Sequence, residues 1–272
     1  MCELLGLCGS RPFSADVTMR AFGRRDERNA DGWGLAWYVG RSLALVKEGS
    51  PWTQSPHATF LGNYEKVRSG IFLAHVRRAT VGRRASRANA HPFEREIGGR
   101  SWCFAHNGTV KGAAGLPLGC YHPVGETDSE RVFCHLAGRL HRRGGRLDDE
   151  AGWRWLARAL ARLNTLGKMN CLLSDGRRLY VWRDGAGFKG LSMRIVGFHN
   201  GAARKLNDPD IDIDLHGPVG DRVCAVATYP LTPTGWHELR PGELLVLERG
   251  ELVWSSERSG EYALNGSRAG AA

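Results

Sequence analysis

The chain has 272 residues, of which 42% are hydrophobic and 24% are charged, and its formal net charge at pH 7 is +10. This composition is typical of a globular protein and excludes a disordered or fibrous chain. No stretch approaches the roughly 18 continuous apolar residues that a membrane span needs, and the first residues lack a signal-peptide pattern, so we expect a cytoplasmic location. The seven cysteines are odd in number and include no CxxC pair, which argues against a zinc ribbon and a disulfide framework.

The positive charge is dispersed along the chain in short arginine pairs. These pairs include Arg24-Arg25, Arg77-Arg78, Arg83-Arg84 and Arg142-Arg143. They are not interleaved with aromatic residues, so the pattern favours solvated surface charge over a nucleic-acid interface. A non-catalytic basic binding module, with nucleic acid as a candidate ligand, remains the alternative to an enzyme.

Short apolar runs bounded by Gly, Asn or Asp predict strands along the chain. In chain order these runs are 34–39, 71–76, 102–105, 170–173, 179–182, 223–227 and 244–247. The dipeptides Asp175-Gly176 and Arg249-Gly250 lie between such runs and predict hairpin turns.

Two segments carry apolar residues at helical spacing. The first is 128–142, where Thr127 is the predicted N-cap and Glu130 its capping-box partner. The second is 148–166. Strands at both ends of the chain with helices between them predict an α+β layered domain, in which the helices cover stacked sheets.

Cys2 is the most informative single residue. Removal of Met1 would put a thiol and a free α-amine on one residue, and this amine has a reference pKa of about 7.7–8.0, so part of it can accept a proton at pH 7. The structural alternative is a small buried hydrophobe in a first strand. If Met1 is retained, the α-amine belongs to Met1 instead.

Asn107-Gly108 has two interpretations. An Asn-Gly pair after an apolar run is a strong signal for a hairpin turn. Alternatively, the side-chain amide of Asn107 and the backbone N–H of Gly108 are two adjacent donors, which is what an oxyanion hole requires.

Two charged positions are suited to the two ends of an amino-acid head group. Arg77 and Arg78 follow a predicted buried strand, where an arginine can either clamp a carboxylate or reach solvent. Asp128 stands at a predicted helix start and can pair with a substrate ammonium, a role separate from the Thr127–Glu130 cap.

A glycine-rich segment and a histidine complete the candidate set. Asp31-Gly32 is typical of a turn before a strand, and Gly32-Trp33-Gly34 would let a loop approach another backbone closely. His91 precedes a proline and is expected to be extended, where it either lines the site or serves a structural role.

Taken in order, these segments resemble the class II glutamine amidotransferases, which are N-terminal-nucleophile glutaminases. The matching segments are Cys2, 31–34, 75–80, 89–93, 106–108 and 126–130. The resemblance covers roughly residues 2–255, because 172–176 and 227–232 also look like later strands of the stand-alone, YafJ-type branch.

The resemblance implies a four-layer αββα sandwich with two antiparallel sheets between helices. It implies that Cys2 is the nucleophile with its own α-amine as general base, and that Asn107 and Gly108 form the oxyanion hole. No metal or organic cofactor is implied.

The resemblance also implies how a glutamine or γ-glutamyl substrate is bound. Arg77, assisted by Thr80, would hold the α-carboxylate, and Asp128 would hold the α-ammonium. The supporting residues would be Gly32, Trp33, His75 and His91.

The expected organisation is one amidotransferase domain over 1–258 and a flexible tail over 259–272. The basic, small-residue composition of 81–88 is typical of a mobile lid. The expected partner is a small-molecule substrate. The sequence leaves two interpretations of what happens to the released ammonia or amine. The chain could dock on a separate synthase subunit, or it could be a free-standing γ-glutamyl hydrolase, to which the ergothioneine-pathway branch is also similar.

Overall fold

The computed structural model describes residues 2–15, 32–63, 67–77, 85–199, 204–208 and 211–257. The predicted tail at 259–272 and residues 81–84 of the predicted lid lie outside these ranges. Three α-helices are described: α1 Pro56–Asn63, α2 Asp128–His141 and α3 Glu150–Asn164.

The described strands run through the whole chain. They are β1 Glu3–Ser14, β2 Trp33–Val39, β3 Ser42–Glu48, β4 Arg68–Val76, β5 Phe93–Glu96, β6 Ser101–Thr109, β7 Lys168–Ser174, β8 Arg178–Trp182, β9 Ser192–Gly197, β10 Arg204–Asp208, β11 Ile211–Leu215, β12 Arg222–Ala227, β13 His237–Glu238, β14 Leu244–Glu248 and β15 Glu251–Ser255.

Two antiparallel sheets form the centre of the molecule. Sheet A has the order β13-β9-β12-β1-β4-β2-β3, and sheet B has the order β15-β14-β8-β7-β6-β5. The strands β10 and β11 form a separate hairpin. This arrangement confirms the predicted α+β fold with two stacked antiparallel sheets.

Three hydrophobic cores separate the layers. The core between the sheets includes Leu4 and Leu73 from sheet A and Leu172 from sheet B. A second core lies between sheet B and the helices α2 and α3, and a third packs α1 and the β10–β11 hairpin on the outer face of sheet A. Each fully buried Leu in these cores contributes on the order of 1.5–3 kcal/mol of transfer free energy.

The first strand is apolar on both faces because it lies between two of these cores. Leu4 and Cys8 point into the core between the sheets, whereas Leu5 and Leu7 point into the core on the outer face of sheet A. Side chains alternate between the two faces of a strand. The run from Leu4 to Cys8 therefore does not alternate between apolar and polar residues. Because the strand is fixed between two cores, it also fixes the direction of the chain at Cys2, which directly precedes it.

The predicted strands are confirmed, and so are the hairpin turns predicted at Asp175-Gly176 and Arg249-Gly250. The two predicted helices are also present, although the second begins at Glu150, with Asp149 as its N-cap. Thr127 caps α2 by accepting a hydrogen bond from the Glu130 N–H at 3.1 Å. The capping-box pairing is wrong, because the Glu130 carboxylate instead accepts from the N–H groups of Val124 and Gly125.

The hairpin-turn interpretation of Asn107-Gly108 is also wrong. Both residues lie inside β6, where they pair with Asn170 and Met169 of β7. Gly108 has a φ of 146°, and a Cβ there would lie 2.0 Å from the carbonyl oxygen of Lys168. Glycine is therefore required here for a close approach of two strands, not for a turn.

Gly34 is the point where β2 passes closest to a neighbouring loop. A Cβ at this position would lie 2.1 Å from the carbonyl oxygen of His91. We expect Gly34→Ala to lower the free energy of unfolding by about 2–4 kcal/mol, because the backbone must move to relieve the overlap. Urea unfolding followed by circular dichroism measures this change.

Gly70→Ala is the matched control for Gly34→Ala. Gly70 lies in β4 of the same sheet, but a Cβ there would meet no heavy atom within 4 Å. We expect its unfolding free energy to stay within about 0.5 kcal/mol of the wild-type value. Equal unfolding midpoints for the two variants would contradict the steric argument.

Candidate active site

Cys2 lies directly before β1 and is half-buried. Its main-chain carbonyl oxygen accepts two hydrogen bonds, one from Asn107 Nδ2 at 2.9 Å and one from Lys189 Nζ at 3.2 Å. A carbonyl oxygen has two lone pairs, so both acceptor positions are used. The backbone of the predicted nucleophile is thus held by two side chains from sheet B and its adjoining loop.

The carboxamide of Asn107 is the centre of this cluster. Its Oδ1 accepts from His75 Nε2 at 3.0 Å, and its Nδ2 donates to the Cys2 carbonyl and to Thr228 Oγ1 at 3.2 Å. The hydroxyl of Thr228 also accepts from the Leu4 N–H at 2.9 Å. Both hydrogens on Nδ2 are therefore engaged, and the amide links sheet B to the start of β1.

His75 orients this amide. Because Asn107 Oδ1 can only accept a hydrogen bond, the hydrogen on the His75 ring is assigned to Nε2. Burial lowers the pKa of His75 to about 3, so the imidazole is neutral at pH 7. The neutral ring therefore acts as a hydrogen-bond donor to Asn107 near neutral pH.

Arg77 follows the last residue of β4 and is buried. Strand β4 lies between β1 and β2, and its last residue, Val76, pairs with the first residue of each. The main-chain N–H of Arg77 donates to the carbonyl oxygen of Gly32 at 2.7 Å. This geometry brings Arg77 beside the residues that precede the two strands, Cys2 and Gly32.

Two hydrogen bonds join the start of α2 to the end of β6. Asp128 Oδ2 accepts from the Val110 N–H at 2.6 Å, and Ser129 Oγ lies 2.8 Å from His106 Nδ1. Since His106 Nε2 donates to the Lys168 carbonyl at 3.1 Å, Nδ1 accepts from Ser129. Burial lowers the pKa of His106, and the neutral ring fixes the helix start and its carboxylate beside the Asn-Gly end of β6.

The other predicted supporting residues lie behind this cluster. The ring of His91 packs against that of His75 at a tilt of 39° with centroids 4.3 Å apart, and neither of its nitrogens has a hydrogen-bond partner among the described residues. Burial lowers the pKa of His91 well below its usual value. Trp33 is buried and packs edge-to-face on Trp52 at 4.6 Å. These contacts support the site from inside the molecule.

The structure thus brings Cys2, His75 and Asn107 into one cluster, with Arg77 and Asp128 at elements that border it. The predicted residues Thr80 and Asp31 and the initiator Met1 lie outside the described ranges.

Sequence reasoning assigned no role to two residues that contact the cluster, Thr228 and Lys189. Thr228 lies in the segment 227–232, which resembles the family. That resemblance was the signal in the sequence from which a role for Thr228 could have been predicted. Lys189 lies between Phe188 and Gly190 in a loop, where nothing in the local pattern marks it.

Within the described ranges, no three His, Cys, Asp or Glu side chains are grouped so that they could hold a metal ion. No helix in the same ranges is long and apolar enough to cross a membrane.

The sequence profile of the family described as "Glutamine amidotransferases class-II" matches residues 1–268 of this chain. The chain therefore belongs to the class II glutamine amidotransferases. The Escherichia coli K12 protein YafJ is 36% identical over 261 residues, and the alignment covers 93% of this chain and 100% of YafJ. A relative from Methanocaldococcus jannaschii is 35% identical over 260 residues, which cover 95% of this chain and 72% of the relative.

Solved structures share the fold. The crystal structure of a predicted glutamine amidotransferase from Pseudomonas aeruginosa PA01 has a TM-score of 0.70 and 30% identity, with 93% of this chain and 100% of that chain covered. Glutamine phosphoribosylpyrophosphate amidotransferase from B. subtilis has a TM-score of 0.61 and 20% identity, with 91% of this chain but 47% of that chain covered. This second match is evidence for the fold alone.

Proposed function

We propose that this protein hydrolyses the γ-amide bond of glutamine or of a γ-glutamyl compound, with Cys2 as the nucleophile after removal of Met1. The observation that carries the proposal is the hydrogen bond from Asn107 Nδ2 to the Cys2 carbonyl. It holds an amide donor against the same residue that bears the thiol, which is the proximity that attack on a carbonyl and stabilisation of the resulting oxyanion require.

The first half of the reaction forms a thioester. The α-amine of Cys2 takes the thiol proton, directly or through water, and the sulfur attacks the γ-carbonyl carbon. The carbonyl π electrons move to oxygen, and the oxyanion rests on Asn107 Nδ2 and the Gly108 N–H. When the intermediate collapses, the C–N bond breaks, and the α-ammonium returns its proton to the leaving ammonia or amine.

The second half hydrolyses the thioester. Water attacks the acyl carbon while the α-amine accepts a proton from it. The C–S bond then breaks, the Cys2 thiol is re-formed, and glutamate leaves.

The oxyanion must replace one of the two bonds that Asn107 Nδ2 makes, because both of its hydrogens are engaged. Each of the two acceptors keeps a second donor when this happens. The Cys2 carbonyl keeps Lys189 Nζ, and Thr228 Oγ1 keeps the Leu4 N–H. The exchange therefore leaves neither acceptor unsatisfied.

The amino-acid head of the substrate needs one cation and one anion. We assign its α-carboxylate to Arg77, with help from Thr80, and its α-ammonium to Asp128. A planar guanidinium matches a carboxylate in a bidentate pair. The support for this assignment is that Arg77 lies at the end of β4 beside Cys2, and that Asp128 is tied to the strand that carries Asn107.

The fate of the released ammonia or amine divides two versions of this proposal. In one version the ammonia passes to a separate synthase subunit. In the other version the protein is a free-standing hydrolase of a γ-glutamyl bond. Assays with glutamine and with γ-glutamyl amides of larger amines distinguish the two versions. The version with ammonia transfer needs a docked synthase subunit, whereas the free-standing hydrolase does not.

A second candidate function is the basic binding module. Its support is a group of arginines on α2, on α3 and in the turn that follows α2. The guanidiniums of Arg139 and Arg143 lie 5.1 and 4.8 Å from the centroid of the Trp155 ring. Partial burial and the like charges of Arg162 and Arg142 lower the pKa of Arg139. A bound anion would offset the repulsion between these like charges.

Labelling with 6-diazo-5-oxo-L-norleucine tests the proposed enzyme. We expect intact-mass spectrometry to give a chain without Met1 that gains one adduct, and peptide mapping to place this adduct on Cys2. Excess glutamine should slow the labelling, because both molecules occupy the same pocket.

A chain that retains Met1 and gains no adduct would contradict the proposal and favour the basic binding module. An adduct on another cysteine would contradict the assignment of the nucleophile.

A further inference from the structure

Lys189 contacts the predicted nucleophile although nothing in the sequence pattern marks it. We propose that Lys189 is a positioning residue, whose ammonium holds the main chain of Cys2 so that the thiol and the α-amine face the scissile amide. This proposal rests on the proposed function. Its direct observation is the distance of 3.2 Å between Lys189 Nζ and the Cys2 carbonyl oxygen.

The loop that carries Lys189 is fixed by a buried carboxylate. Asp184 Oδ1 accepts from the N–H groups of Ala186 and Phe188, and Oδ2 accepts from the Met169 N–H and from Asn164 Nδ2. Burial alone would raise the pKa of Asp184, but these hydrogen bonds hold it below its usual value. The loop is thus tied at several points to β7 and α3.

A second buried side chain connects this loop to the predicted oxyanion donor. Asn170 Oδ1 accepts from the Asp184 N–H at 2.7 Å, and Asn170 Nδ2 donates to the Phe188 carbonyl at 2.8 Å. Across the β6–β7 pair, Asn170 lies opposite Asn107. One pair of strands therefore sets the position of both donors to the Cys2 carbonyl, Asn107 and Lys189.

The backbone of Lys189 is in an unusual conformation. Its φ is +54°, in the left-handed region that residues other than glycine rarely adopt. The pKa of Lys189 is lowered, because the effect of burial is larger than the opposing effect of the charges of Cys2 and Glu3. A strained and half-buried lysine persists only when its surroundings determine it, and such residues cluster at functional sites.

The contact also has a place in the proposed reaction. When Asn107 Nδ2 turns one hydrogen toward the oxyanion, Lys189 keeps the Cys2 carbonyl paired. A fixed carbonyl fixes the rotation of the Cys2 backbone, on which both the nucleophile and its base depend. Lys189 therefore acts through Cys2 and need not touch the substrate.

The test compares Lys189→Met and Lys189→Arg with the wild type. Methionine keeps most of the side-chain length but removes the ammonium, whereas arginine keeps a cation. We expect Lys189→Met to lower kcat for glutamine about 10- to 100-fold with KM changed less than about 2-fold, and Lys189→Arg to restore most of kcat. The exposed Lys111→Met is the matched control, for which we expect wild-type kcat.

A second readout does not depend on turnover. We expect iodoacetamide to alkylate Cys2 about 5-fold more slowly in Lys189→Met, because a neighbouring cation and a fixed backbone are both lost. Alkylation of the exposed Cys120 in the same sample is the internal standard and should not change. A wild-type protein without glutaminase activity would contradict the proposed function, while the alkylation ratio would still decide the role of Lys189.

Unchanged kcat and unchanged Cys2 alkylation in Lys189→Met would overturn the proposal. A raised KM with unchanged kcat would overturn it too, because it would indicate a substrate contact. Circular dichroism and thermal unfolding separate these results from misfolding.

Discussion

We expect Cys2→Ala to lower the proposed glutaminase turnover by about 10⁴-fold or more, while its unfolding transition stays close to that of the wild type. The loss is large because without a nucleophile no thioester can form, and the remaining groups offer only binding and oxyanion stabilisation. The fold should survive, because Cys2 precedes β1 and is half-buried, so few core contacts are removed. Steady-state ammonia release and thermal unfolding measure the two effects.

Cys120→Ala is the matched control, since Cys120 is an exposed cysteine outside the strands. We expect it to keep wild-type turnover. Cys2→Ser gives a further comparison, because it keeps a weaker nucleophile of similar size on the same α-amine. Full turnover in Cys2→Ala would rule out the proposed mechanism. Equal losses in both alanine variants would indicate a general effect of removing thiols.

The sequence predicts most strands because burial on one or both faces requires apolar side chains. Leu4, Leu5, Leu7 and Cys8 face two different cores, and their nearly continuous apolar run is by itself typical of a strand buried on both faces. The helix α1 has no comparable signal. It has eight residues, and only Ala58 and Leu61 are among its core residues, so helical periodicity has too few positions to be recognised.

The candidate site is partly predictable because its residues lie near the ends of predicted strands. Its departures from prediction come from contacts between distant segments. Asn107-Gly108 has the local composition of a turn, but both residues lie in a strand. Glycine is needed there because the carbonyl oxygen of Lys168 leaves no room for a Cβ atom. Lys189 depends on a loop held by Asp184 and Asn170. No local pattern encodes these long-range hydrogen bonds.

The second large effect is expected at Asn107. Asn107→Ala should lower kcat for glutamine about 10²- to 10³-fold, because removal of one oxyanion donor has costs of this size. It also removes a partner from the buried His75 ring and from the Cys2 carbonyl, so we expect a loss of about 1–3 kcal/mol in the free energy of unfolding. Kinetics with glutamine and urea unfolding measure the two changes.

Thr228→Val separates the structural from the catalytic contribution of Asn107. It removes the hydroxyl that accepts one Nδ2 hydrogen and the Leu4 N–H, so it should destabilise the fold by about 1–2 kcal/mol. Asn107 can still donate to the oxyanion in this variant, so kcat should fall less than about 10-fold. Asn107→Asp is the third member of the series, because it keeps the shape but turns a donor toward the Cys2 carbonyl into an acceptor. If Asn107→Ala lost no more kcat than Thr228→Val, the amide would serve only to hold the start of β1, and the oxyanion would have to rest on other donors.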